Sequence, residues 1–320
     1  MDIELLQERA GIIRQVRSFF DEREYLELDT PLLSGDLIPE SCLEVFETNR
    51  ILPSGNSQPY WLIPSPEIWM KKIIAKVHDE NQQPISVYQI CKCFRNGESS
   101  GFLHSPEFTM LEYYTMNANY LDSLAITEEL FAFLSPEYCQ PFERMTVAEA
   151  FSRFAGFDLF EAVEKPGALE AEGQRLGLSP PTGMKTAELY DLIFIHAVEP
   201  HLRQKWPVAL LDYPAFVPCL ARQNTDGKTV ERWELYWNGI ELANCFSEET
   251  NAERVRDFFE HEAAAKKKQA LIHHNVDNDY WKYFQDDFPR CSGVALGLDR
   301  LIMLLLGRST IDSVLPFPMK

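Results

Sequence analysis

At 320 residues, 45% of them hydrophobic and 25% charged, the chain is long enough for one large globular domain or two modest ones. Its 49 acidic against 30 basic residues leave a net charge of -19, which argues against broad electrostatic capture of nucleic acid. The opening MDIELLQERA lacks a basic, then apolar, leader pattern, and the late apolar run LIMLLL is too short to cross a bilayer, so a cytoplasmic chain without a membrane partner is expected.

Leu5, Leu6, Ile12, Ile13, Val16, Phe19 and Phe20 recur at helical spacing, and the sequence predicts a long amphipathic helix stopped by the Asp-Thr-Pro at 29–31, where extended chain begins. Ser65-Pro66-Glu67 reads as a helix start with an acid in its first turn. PISVYQICKCFR and PEFTMLEYY, between Pro84 and Tyr114, read as two strands joined by the polar loop NGESSGFLHS, too long for a simple turn and so a place where function often sits. From Pro141 to about Trp206 the periodicity is helical and is read as an insertion. PVALLDYP then reads as a buried strand, and ERWELYWNGIELANCF as a hairpin whose Asn238-Gly239 pair suits a type I′ turn. Residues 251–270 form a charged helix, and the final block, GVALGLDRLIML, is a strand that turns into a helix at Gly297. Helices alternating irregularly with antiparallel hairpins give an α+β domain.

Cys42, Cys91, Cys93, Cys139, Cys219, Cys245 and Cys291 contain no CxxC pair, so reduced thiols are expected. Cys91 and Cys93 would share one side of a strand, as buried apolar cysteines rather than metal ligands.

Three groups of residues can carry chemistry. Arg95, Glu98 and His104 join Phe108, Glu112 and Tyr114, the last three at even spacing and so on one strand face. That set reads either as a binding surface or as an exposed sheet face with scattered charges. Glu241, Asn244 and Glu248 follow the second hairpin, and the two acids can share a hard cation with a phosphate chain or be merely solvated. Arg300, at a helix N-terminus, adds its charge to the helix dipole and invites an anion, unless it is a surface arginine paired with Asp299.

Taken in order, these segments resemble the signature motifs of class II aminoacyl-tRNA synthetases of the lysyl subgroup. VRSFFDEREYLELDTPLL is similar to motif 1, FRNGESSGFLHSPEFTMLEYY to motif 2 and GVALGLDRLIML to motif 3, with SPE, FET and GIELANCFSE between them. The motif 1 helix begins almost at Met1, so no anticodon-binding domain is expected, and Ala295 stands where the synthetase motif carries glycine. Both features resemble the elongation factor P (R)-β-lysine ligase family.

The resemblance implies a single catalytic domain over 1–320 with a mainly helical insertion at about 141–206. It also implies an antiparallel sheet of six or seven strands flanked by helices, and a homodimer formed through motif 1. It implies ATP and Mg2+, lysine or (R)-β-lysine as amino acid, elongation factor P as protein substrate, and no stable nucleic-acid partner. Arg95 and Arg300 would be catalytic, Arg95 on the substrate carboxylate and α-phosphate and Arg300 on the γ-phosphate. Phe108 would stack on adenine, and Asn96, Glu98 and His104 would line the nucleotide side. Glu241 and Glu248 would bind magnesium, while Ser65, Glu67, Glu112, Tyr114, Asn244 and Ala295 would bind the amino acid. Ser105 replaces the usual asparagine, so one hydrogen bond to adenine or its phosphates is expected to be lost or carried by water, and Cys245 replaces glycine and is expected to crowd the pocket floor. A truncated synthetase acting on tRNA or a small amine, or a non-catalytic paralogue, are the rival readings.

Overall fold

The computed structural model describes residues 3–79, 83–97 and 101–318. The chain divides into two compact units, Met1–Cys139 with Glu248–Lys320, and Gln140–Ser247.

The first unit opens with helix α1 (Ile3–Asp21), which buries Leu5, Val16, Phe19 and Phe20. The helix ends eight residues before the expected proline stop. Arg23 and Tyr25 both donate backbone N–H groups to the Phe20 carbonyl, and Glu24 takes a positive φ of 58° in the turn that closes it. Strands β1 (Leu26–Glu27), β2 (Leu33–Ser34), β3 (Glu47–Ile51) and β4 (Ser57–Leu62) follow, the last three forming a small sheet in the order β2-β4-β3. Helix α2 (Glu67–Asp79) starts at the predicted SPE, and the expected hairpin is β5 (Val87–Phe94) with β6 (Glu107–Met116), in register from Val87↔Tyr114 to Phe94↔Glu107. Helix α3 (Tyr120–Leu134) is held by an Asn119–Asp122 capping box.

The second unit begins with β7 (Glu143–Thr146), a strand inside the stretch expected to be helical; four residues are too few to show a period of two. The helices expected there do follow, α4 (Val147–Ala150), α5 (Leu159–Glu164), α6 (Ala168–Arg175) and α7 (Thr186–Ile193), with single π-helical turns after α4 and α7. They pack with β8 (Val208–Pro214) and β9 (Thr229–Trp237) around Phe151, Leu159, Tyr190, Ile193 and Leu210. Strand β10 (Ile240–Ser247) returns from β9 through Asn238 and Gly239, both at positive φ (53° and 75°), as a type I′ turn requires. The strand order in this unit is β10-β9-β8-β7.

The chain then completes the first unit with α8 (Ala252–Gln269), β11 (Cys291–Gly297) and α9 (Leu298–Leu305). The strand order there is β1-β5-β6-β11, and Phe20 of α1 stacks on Tyr88 of β5 with ring centroids 4.8 Å apart. Helices thus cover the face of Tyr88 and Tyr113, while residues of opposite parity, Phe108, Glu112 and Tyr114, look to the other side. Strand pairing in each unit is antiparallel as expected except at one short strand: β1 runs parallel to β5 in the first unit, and β7 parallel to β8 in the second. No helix among the described residues is long and apolar enough to span a membrane.

Candidate active site

Three elements of the first unit build one pocket. On β6, Glu112 is buried, and its two oxygens accept hydrogen bonds from Tyr114 Oη (2.8 Å) and Ser65 Oγ (2.6 Å). Ser65 also caps α2 by accepting the Glu67 backbone N–H at 3.0 Å, so one hydroxyl ties the helix start to the strand. One turn along α2, on the same helix face as Glu67, the Lys71 ammonium lies 2.5 Å from the Glu67 carboxylate and 2.6 Å from that of Glu248. On β11, Gly293 lies opposite Tyr114 and Ala295 opposite Glu112, so both face this pocket. Glycine is required at 293: a Cβ there would fall 2.5 Å from Tyr114 Cε1 and closer still to Glu248 Oε1.

The pocket holds three carboxyl groups around one ammonium, a surplus of acids that can ionise against a ligand with amino groups. Burial, reinforced by the Glu67 charge, pushes the Glu112 carboxyl up to about 8, against the hydrogen bonds from Ser65 and Tyr114. Burial likewise raises Glu248, although Lys71 opposes it. Burial alone would lower the Lys71 ammonium, but Glu248 and Glu67 override that effect and hold it charged. Lys71 is 1% exposed, so Lys71→Met removes a buried cation from between the Glu67 and Glu248 carboxylates. The expected cost is about 3–5 kcal/mol in urea unfolding, and adding Glu248→Gln recovers part of it. Equal stability of Lys71→Met and the parent chain would contradict this account.

The other end of the site is cationic. Arg95, at the end of β5, places its guanidinium 5.2 Å from the centroid of the Phe108 ring, and its Nε is buried with no hydrogen-bond partner among the described residues. A buried donor of that kind is satisfied by an incoming anion. Arg300, in the first turn of α9, donates from Nε to the Leu103 carbonyl (3.1 Å) and so touches the loop that carries His104, which is exposed. The alternative in which Asp299 pairs with Arg300 on the surface is not the arrangement found. Asp299 is buried, its Oδ1 2.5 Å from Arg9 of α1 and its Oδ2 accepting the Thr109 N–H at 2.6 Å. Asp299 thereby fastens α9 to α1 and β6 together.

Not every expected residue joins these two ends. Asn96 hydrogen-bonds through Nδ2 to the Val45 carbonyl, and its backbone N–H donates to the Glu44 carbonyl. Glu98 lies outside the described residues. Glu248 sits with the amino-group carboxylates and is engaged by Lys71. In the second unit, a bulge between Glu241 and Ala243 sets Glu241 opposite Tyr236 and Asn244 opposite Glu234, putting both side chains on one face despite their odd separation. Asn244 Oδ1 is buried there with no partner among the described residues. Cys245 lies opposite Trp233, on the other face of β10 from Asn244.

Sequence reasoning missed Lys71, Gly293, Gln89 and Glu40. Gln89 lies opposite Glu112, and its Oε1 is buried without a partner. Burial and the Glu67 charge raise the Glu40 carboxyl to about 7. Its loop is tied to α8, where Lys266 donates to the Glu40 carbonyl at 2.9 Å and Glu262 accepts the Ser41 N–H at 2.9 Å. Only the buried acid-rich setting of helix α2 would have pointed to Lys71, and the one-letter spacing does not show it.

The site thus has a strand-borne arginine beside an aromatic ring and a second arginine heading the final helix, with a cluster of buried carboxyl groups farther along the strands. The chain belongs to the class II tRNA synthetase family that covers the D, K and N enzymes, whose model matches residues 3–320. It is similar to proteins named elongation factor P–(R)-β-lysine ligase. That of Avibacterium paragallinarum is 35% identical over 317 residues, 98% of this chain and 95% of the relative. Those of Photobacterium profundum and Vibrio cholerae are 35% and 36% identical, each covering 99% of this chain and 96% and 95% of the relative.

Proposed function

We propose that this chain is an ATP-dependent ligase that activates lysine, preferentially (R)-β-lysine, as the aminoacyl-adenylate and transfers it to a lysine side chain of elongation factor P. The observation that carries this reading is the polarity of the site on β5, β6 and β11. The Arg95 guanidinium stands at the Phe108 end, Arg300 reaches the loop at Leu103, and carboxyl groups stand at the Glu112 end. A lysine isomer has the complementary polarity, one carboxylate and two ammonium groups.

In the first step the amino acid's carboxylate oxygen attacks the α-phosphorus of ATP, a new P–O bond forms and pyrophosphate leaves. Arg95 lowers the repulsion between the two anions, and Arg300 holds the γ-phosphate. Phe108 carries adenine, with Asn96, Glu98 and His104 along the nucleotide side. In the second step a neutral lysine ε-amine of the protein substrate attacks the activated carbonyl and AMP leaves. Ser65, Glu67, Glu112, Tyr114 and Asn244 hold the amino acid, with Glu112 and Tyr114 taking the ε-ammonium.

Glu241 and Glu248 would hold magnesium, which when bound would supply positive charge to offset the negative charge of the pyrophosphate. Glu248 would have to give up Lys71 to bind it. Among the described residues no group of three or more His, Cys, Asp or Glu side chains could hold a metal ion.

The reading also treats residues 1–320 as one catalytic domain with a helical insertion at about 141–206, acting as a cytoplasmic homodimer through motif 1. The exposed Leu26, Leu32 and Leu33 in that motif support the dimer. The net charge of -19 supports a protein rather than a nucleic-acid partner.

Two outcomes follow. Ala295→Gly removes a methyl from the pocket face opposite Glu112 and relaxes isomer choice, so the ratio of kcat/KM for (R)-β-lysine over α-lysine in pyrophosphate exchange falls by about 10-fold or more. Equal turnover of both isomers by the parent chain would sink the assigned preference. The raised Glu112 and Glu248 carboxyls make binding pH-dependent. Both are raised above their ordinary values, so in the free chain they favour folding at low pH, and that contribution is lost as pH rises through about 7 to 8. A dicationic ligand draws out those protons. Lysine binding therefore strengthens across the same window, and calorimetry near neutral pH in buffers of different ionisation enthalpy reports net proton release that Glu112→Gln diminishes.

A further inference from the structure

Two thiols stand on the strand face that carries the site. The register of β5 sets Cys93 opposite Phe108, Cys91 opposite Met110 and Gln89 opposite Glu112. Both cysteines therefore share the face of Phe108 and Glu112, between the cationic and acidic ends. Cys93 is buried, Cys91 is partly exposed, and their sulfurs are 3.8 Å apart.

That spacing selects among thiol chemistries. A disulfide needs its sulfurs about 2.05 Å apart and its Cα atoms within about 6.8 Å. Two residues along a strand already separate Cα atoms by about 6.6–6.8 Å, the outer edge of that range. β5 is paired to β6 along its whole length, so it cannot easily contract. A bond from thiolate sulfur to a thiophilic centre is about 2.3 Å, so two such bonds from one atom bridge sulfurs at the observed separation with no backbone movement. No third His, Cys, Asp or Glu among the described residues completes a metal cage with them. A tetrahedral zinc site is therefore disfavoured, and a centre that needs only two bonds from the protein is favoured.

We propose that Cys91 and Cys93 form a bidentate site for a thiophilic centre with two exchangeable positions, a monosubstituted trivalent arsenical, and that its occupancy blocks amino-acid activation from the pocket floor. The arsenic–oxygen bond of the oxide breaks and two arsenic–sulfur bonds form. Both S–H protons leave on that oxygen as water, and no oxidation state changes. The blocking role rests on the function proposed above, whereas the binding site does not.

The test uses one equivalent of phenylarsine oxide with the full chain, followed by intact mass, a free-thiol count and lysine-dependent pyrophosphate exchange. One adduct per chain is expected, with two thiols lost. It resists excess glutathione, is removed by 2,3-dimercaptopropanol, and is absent from Cys91→Ser and from Cys93→Ser. Exchange falls at least about tenfold in the parent chain and is insensitive to the reagent in Cys91→Ser, the partly exposed position where the fold tolerates serine best. An adduct that glutathione strips, or that persists in both variants, overturns the site. An adduct formed with full exchange activity overturns the blocking role. An adduct on a parent chain that catalyses no exchange before treatment upholds the thiol site and rejects the functional reading instead.

Discussion

Arg95→Ala lowers kcat for lysine-dependent exchange of pyrophosphate into ATP by about 10²–10³-fold, the usual cost of removing one donor aimed at developing negative charge. The size follows from the setting. Arg95 lies over the Phe108 ring, and its Nε is buried without a partner among the described residues, so the side chain is organised for a ligand more than for the fold. The thermal midpoint should accordingly move little. Arg95→Lys restores the charge but not the planar fork, and it recovers only a small part of the rate. Rapid-quench measurement of adenylate formation separates this loss from any effect on binding. Activity of Arg95→Ala within about threefold of the parent would remove the cationic end from the mechanism.

Gly293→Ala has the second large effect, on the acidic end. The new methyl overlaps Tyr114 and the Glu248 carboxylate, both buried and both fixed, by Glu112 and Lys71 respectively. Neither can yield without breaking a buried hydrogen bond or ion pair. Amino-acid affinity should fall by at least about 100-fold in calorimetry while ATP binding at the Phe108 end is retained, and overpacking should cost about 1–3 kcal/mol in urea unfolding. Loss of ATP and amino-acid affinity in equal measure would mean that the two ends are not separable.

Much of this arrangement was legible in the sequence because it depends on strand parity. Even spacing put Phe108, Glu112 and Tyr114 on one face, and the Asn238-Gly239 pair announced the turn between β9 and β10. What parity could not supply were the departures from regularity. The bulge beside Leu242 brings Glu241 and Asn244 to one face and turns Cys245 away from it. α1 ends ahead of the proline because a left-handed Glu24 closes it, a conformation that the spacing of apolar residues does not reveal. Lys71 and Gly293 were missed because their importance lies in neighbours from distant parts of the chain, Glu248 for both and Tyr114 for the glycine. Adjacent numbering offers Arg300 as an alternative partner for Asp299, whereas the structure pairs Asp299 with Arg9, 290 positions away.

The central claim is that one polarised pocket loads a lysine isomer onto a protein. Incubating the purified chain with ATP, Mg2+, labelled (R)-β-lysine, elongation factor P and total tRNA in one vessel tests it most directly. The account predicts label on elongation factor P, resistant to mild alkali as an amide must be, with one AMP released per transfer. Label recovered only in tRNA, or no transfer despite intact pyrophosphate exchange, would contradict it.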